Sequence, residues 1–145
     1  MKRSILALVT GLVIWAVVAT LLNFGLRAGL PGYRVAEPAM TFTLGMKIAR
    51  LTLGALASLA AGAAAGLIAP SKPGVRWVLG AVILALFIPS HVYLWAKFPV
   101  WYHLTFLGTL VPLVALGGAM VGCNGADRRE EIAANVDRAP TVGQN

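Results

Sequence analysis

The sequence predicts an all-α integral membrane protein, a four-transmembrane-helix bundle with its N and C termini in the cytoplasm. Three observations carry that prediction. The 145 residues are 59% hydrophobic and 12% charged, where a water-facing domain carries about 25% charged residues. The apolar residues fall in four long runs, 5–22, 51–69, 77–95 and 98–123, and none of these contains Asp, Glu, Lys or Arg. Each run reaches the roughly 18 to 20 residues that a helix needs to cross about 30 Å of hydrocarbon. Finally, the basic residues divide unequally. With four spans, Lys2, Arg3, Lys72, Arg76, Arg128, Arg129 and Arg138 share one side, and Arg27, Arg34, Lys47, Arg50 and Lys97 share the other. The side richer in Lys and Arg is the cytoplasmic one.

The expected membrane domain is 1–123, with spans near 5–24, 41–69, 76–95 and 100–122. Residues 124–145 form a polar tail in which "DRREEIAAN" can form a short interfacial helix and the rest is expected to be disordered. Span 1 follows Lys2 and Arg3 and could be mistaken for a signal peptide. Its apolar run is long for one, and three more spans follow, so it reads as an uncleaved span. The first outer connection, "FGLRAGLPGYRVAEPAM", is rich in Gly and Pro and too short for a domain. It is expected to pack over the outer mouth of the bundle.

Span 2 carries Gly54, Ser58, Gly62 and Gly66 at intervals of four, with Ala57, Ala61 and Ala65 in a second row. Apolarity alone does not drive helices together in lipid. Close backbone approach does, and small residues permit it. The stripe is therefore expected to pack against spans 1 or 3, or to serve as the seam of a homodimer. Gly117, Gly118 and Gly122 make a smaller patch on span 4. Spans 3 and 4 are joined by the tight hairpin "AKFP" and must be antiparallel neighbours. Pro89 and Pro112 lie inside these spans and free the carbonyls of Ala85 and Gly108, which favours kinks.

Candidate functional residues cluster at the outer ends. Arg50 either snorkels from the start of span 2 or sits embedded in it, depending on whether the helix begins near Leu51 or near Met40. Embedded, it would have no acid at its own depth. A tyrosine, a backbone carbonyl or an anionic ligand would then face it. The stretch "SHVYLWAKFPVWYHLTF" holds both histidines. His91 and His103 fall about one turn inside the outer ends of spans 3 and 4, so the hairpin sets them at similar depth. The candidate ligand-binding set is Arg50, His91, Tyr93, Trp101 and His103. The competing reading is an aromatic belt at the membrane surface.

Absences narrow the chemistry. No carboxylate lies within a span, which disfavours proton-coupled transport through a membrane acid. Two histidines without a carboxylate or thiolate make a poor zinc site, and no metal or cofactor motif occurs. The lone Cys123 excludes an internal disulfide, and catalytic residues are not identifiable. The net charge of +7 belongs to topology and anionic lipid, not to nucleic acid.

The segments "YRVAEPAMTFTL", "ARLTLGALASLAAG" and "FPVWYHLTFLGTLVPLVALGG" together resemble a group of small, uncharacterised bacterial four-span membrane proteins, over residues 5–122. The resemblance implies a multi-pass protein of the bacterial inner membrane and brings no activity with it. The leading functional expectation is a structural or accessory protein acting through helix–helix contacts, with itself or with a membrane partner. The alternative is a transporter, channel or lipid-binding protein with an outer-leaflet pocket for an anionic or lipid-like ligand. A second alternative is a haem- or quinone-binding redox subunit using His91 and His103.

Overall fold

The computed structural model describes the backbone of residues 2–138 and the side chains through Gly122. The described residues form five helices and no strand: α1 (Lys2–Gly29), α2 (Tyr33–Ala39), α3 (Leu44–Ile68), α4 (Gly74–Tyr93) and α5 (Val100–Arg138). Four of them, α1, α3, α4 and the Val100–Gly122 part of α5, are long and apolar enough to cross a membrane.

Local chemistry sets the boundaries. α1 stops at Gly29, two residues before Pro31, which cannot continue a helix. Gly32 turns the chain at φ 76° into the short α2. α2 closes on Met40, held at φ 56°, with the Met40 N–H bonded back to the Glu37 carbonyl. Thr43 caps α3, its hydroxyl accepting from the Met46 N–H at 3.4 Å. α4 and α5 are joined by a turn over Leu94, whose carbonyl accepts from both Lys97 and Phe98. Pro99 precedes α5 and its carbonyl takes the Tyr102 N–H, so Pro stands where a missing donor costs nothing. Helical assignment is continuous through both Pro89 and Pro112.

The expected stop near residue 122 is not a helix end. The α5 backbone stays helical to Arg138, through "NGADRREEIAANVDR". Ala, Glu and Arg are strong helix formers, and an existing helix extends far more easily than a new one nucleates. Residues 139–145 lie outside the described residues, as do the side chains of Cys123, Arg128, Arg129 and Arg138.

α3 is the central element. It packs most extensively on α5 and next on α1, while α4 closes the ring between α5 and α1. Around the bundle the order is therefore α1, α3, α5, α4. The hairpin neighbours α4 and α5 are adjacent, as the short turn requires.

The small-residue stripe packs within the chain: Ser58 and the alanine row meet α1, as expected, where a Cβ on Gly11 would lie 3.4 Å from the Ala61 carbonyl. Its glycines meet span 4 rather than spans 1 or 3. A Cβ on Gly62 would strike the Val114 carbonyl, and one on Gly66 would lie 2.7 Å from the Gly118 oxygen. In return, a Cβ on Gly117 would strike the Leu59 carbonyl. The reason is mutual fit: the two helices present glycines to each other, so backbone meets backbone. At Gly54 the partner is instead the Phe106 ring, 2.7 Å from where a Cβ would stand. Ser58 serves α1, accepting from Trp15 Nε1 at 3.2 Å while donating to the Gly54 carbonyl. Gly54, Ser58, Gly62 and Gly66 are all buried within the chain.

α1 shows the matching division of faces. Ala7 and Gly11 turn inward, whereas Ile5, Val9, Val13, Val17 and Leu21 are exposed at intervals of four. An exposed apolar face of that length fits hydrocarbon rather than water. At the end of the bundle that holds the N-terminus, Lys72 reaches Ser4 and Arg76 lies on Gly118. At the opposite end, Tyr33, Ala36, Phe42, Phe98 and Tyr102 build a second core under α2. The first outer connection thus folds over that mouth.

Candidate functional site

The site grows from α3. Because Thr43 fixes the helix start, Arg50 stands six residues inside α3, about 9 Å along its axis. It is half-buried and turned toward protein. Its Nη1 donates to the Tyr33 hydroxyl at 2.8 Å, and its guanidinium lies 4.7 Å from the Phe42 ring centroid. The Tyr102 hydroxyl lies beside the same guanidinium. Of the partners foreseen for an embedded arginine, the tyrosine is the one present.

Tyr33 is 0% exposed and passes the contact onward. Its hydroxyl donates to Asn23 Oδ1 at 2.9 Å, and Asn23 Nδ2 donates to Glu37 Oε1 at 3.1 Å. The other carboxylate oxygen takes Arg27 Nε at 2.6 Å. That hydrogen bond from Arg27 holds the Glu37 carboxyl below the usual carboxylate range, against the opposing effect of burial. Glu37 is thereby committed to Arg27 and Asn23. Among the described residues no carboxylate forms an ion pair with Arg50.

His91 and His103 meet on the facing turns of α4 and α5. Their Nδ1 atoms are 2.8 Å apart, with the rings edge to face at 5.0 Å between centroids. One Nδ1 must donate and the other accept. Aromatic rings enclose the pair. Trp95 stacks on His103 at 4.8 Å, and Phe106 stacks on His91 at 4.7 Å. His103 is 1% exposed, and its Nε2 is buried without a partner.

Two openings converge on Arg50. One, of about 250 Å³, is lined by Arg50, Ser90, His91, Tyr102, His103 and aromatic side chains. The other, of about 460 Å³, runs along α1 past Trp15, Ala16, Ala19 and Thr20. Arg50, Phe87 and Phe106 line both. No protein-family model, curated protein or solved structure matches the chain.

Of the five ligand-binding candidates, Arg50, His91 and His103 come together around one pocket. Tyr93 and Trp101 do not line it. Tyr93 is 86% exposed, because it follows His91 by two residues and a helix turns that position away. Trp101 is 42% exposed and stands edge to face with Tyr102. Their places fit the membrane-surface belt. Sequence reasoning missed Tyr33, Tyr102, Asn23 and Phe98. The tyrosines carried a usable signal, since an embedded arginine without an acid needs oxygen acceptors. Asn23 closes the network only through the path of α2, which no periodicity reveals.

Proposed function

We propose that this is a small multi-pass membrane protein that binds an amphiphile from the bilayer. The head of that ligand carries an anionic or strongly accepting oxygen and is held by Arg50. The Arg50 guanidinium at the junction of two openings, hydrogen-bonded to Tyr33 and, among the described residues, in no ion pair with a carboxylate, carries this reading. A partly buried cation without a carboxylate attracts an acceptor oxygen strongly. The opening along α1 is apolar past Trp15, Ala16, Ala19 and Phe87, which supplies room for an acyl or isoprenoid tail, and polar toward Asn23, Arg27 and Glu37. The resemblance and the basic bias support a bacterial inner membrane with cytoplasmic termini, which sets Arg50 toward the outer leaflet.

The accessory reading keeps the lack of acids within the spans, but the stripe supports it less, because α5 covers its glycines within the chain. The haem reading also weakens. His91 and His103 turn their Nδ1 atoms to each other at hydrogen-bond distance, which leaves no space between them for an iron and its macrocycle.

Purified protein in mild detergent tests the proposal by native mass spectrometry. Dioctanoyl phosphatidylglycerol and a short-chain benzoquinone serve as probes. At least one should bind saturably to the native protein, and Arg50→Ala should weaken it by about ten- to a hundredfold. Equal binding by Arg50→Ala would remove the reading.

A further inference from the structure

We infer that the ligand head is a flat aromatic ring with oxygens at opposite edges, a quinone or its quinol, bound between Arg50 and the His91–His103 pair. This rests on the amphiphile reading and names the class of head.

The walls favour a ring. Phe87, Phe98, Tyr102 and Phe106 line the smaller opening, and at about 250 Å³ it suits a single ring better than a diacylglycerol headgroup. Phe98 and Tyr102 stack at 4.7 Å, and Phe87 and Phe106 meet at 5.3 Å, so a planar guest finds faces and edges already arranged. A phosphate would instead need several converging donors, and Arg50 is the one permanent cation lining this opening.

The polar groups favour two oxygens. Arg50 is a donor at one wall. His103 also lines the opening, and its buried Nε2 has no partner in the protein. A buried ring nitrogen left unpaired is costly, and a ligand atom would satisfy it once the Trp95 or Phe98 ring that helps to seal it gives way. Its role is set by its neighbour. When His91 Nδ1 donates across the 2.8 Å contact, neutral His103 carries its proton on Nε2 and offers N–H to a carbonyl. When His103 Nδ1 donates, its Nε2 is a lone pair and accepts from a phenolic O–H. Either tautomer keeps the bond between the histidines intact. The same nitrogen therefore serves the oxidised head and the reduced one. No electron transfer within this chain is implied.

The two openings share Arg50, Phe87 and Phe106. A ring in the smaller one would send its tail into the groove along α1.

The test compares ubiquinone-1, its dithionite-reduced quinol and dioctanoyl phosphatidylglycerol on the full chain in mild detergent. Binding is read by native mass spectrometry and by quenching of Trp95, which stacks on His103. The expected result is saturable binding of both quinone and quinol, each displacing the other, at affinities within about tenfold. His103→Phe should weaken both by about tenfold and leave phosphatidylglycerol unaffected. Binding of phosphatidylglycerol without the quinone would overturn this inference and leave the amphiphile reading standing. Failure of all three probes would sink both. Equal quinone binding by His103→Phe would show partition rather than a site, and would also overturn the inference. Should His103→Phe misfold, the native protein alone still decides, through saturation and mutual displacement.

Discussion

Glu37 does not touch Arg50; Tyr33 and Asn23 stand between them, joined by three hydrogen bonds. The Glu37 charge thus acts on the half-buried Arg50 across the opening they share and through neutral groups, without an ion pair. This leaves Arg50 positioned but not neutralised. A direct ion pair would have closed the site, and a bare arginine would have been hard to hold.

Tyr33→Phe tests that relay. The ring still fills its buried place, but the Asn23 oxygen and the Arg50 guanidinium each lose a partner. The expected cost is about 1–3 kcal/mol, read by reversible unfolding in mild detergent. An unchanged unfolding midpoint would show that the hydroxyl does not hold α2 to the bundle.

Acid should loosen the same corner. The Glu37 carboxyl lies below its ordinary range because Arg27 bonds to the ionised form. A depressed native value means that the unfolded state binds the proton first. The stabilisation is therefore full above the ordinary carboxylate range and is lost as the pH falls through the native value. Glu37→Gln should flatten this acid limb. A pH series of thermal unfolding that gives the same limb in both proteins would assign it to other groups.

Gly62→Ala and Gly108→Ala form a matched pair. The first puts a methyl group against the Val114 carbonyl, whereas the second meets nothing within 4 Å. The first should cost about 1–3 kcal/mol. The second should be neutral or slightly stabilising, since Ala is the better helix former. Unfolding measurements that rank them the other way would contradict the α3–α5 packing.

Tyr93→Ala and Trp101→Ala should leave probe binding unchanged, whereas Arg50→Ala should weaken it by about tenfold or more. A loss at Tyr93 comparable to that at Arg50 would place the ligand on the outer surface, away from the pocket.

The span count was legible because hydrocarbon thickness converts directly into run length. The hairpin of α4 and α5, and with it the shared depth of His91 and His103, was legible because so short a turn allows one arrangement. The partner of Gly62 was not. Spacing shows that a face is small, but not which neighbour matches it, and here the answer lay in Gly117 and Gly118. The span 100–122 was legible, but its unbroken continuation into the tail helix was not, because polarity marks the end of a hydrophobic run and not the end of a helix. At the site, Arg50 and the two histidines stood out as polar residues in apolar sequence. Tyr33 and Asn23 did not, because their meeting depends on the turn at Gly32, which folds α2 back over α1.

The packing of α3 on α5 is uneven along its length, and this decides where the bundle is compliant. Near Gly62 and Gly66 the two backbones touch directly, with no side chain between them to yield. Near Gly54 a phenyl ring separates them, and near Arg50 there is open volume. The glycine contacts therefore act as a fulcrum, and beyond it the arms are tied through side chains alone, by the Tyr33, Phe42, Phe98 and Tyr102 core. Thermal breathing of the bundle should concentrate at the mouth that holds Arg50, while the opposite end stays clamped. A bulky tail could enter sideways by spreading those arms, without parting the helices where they are tightest.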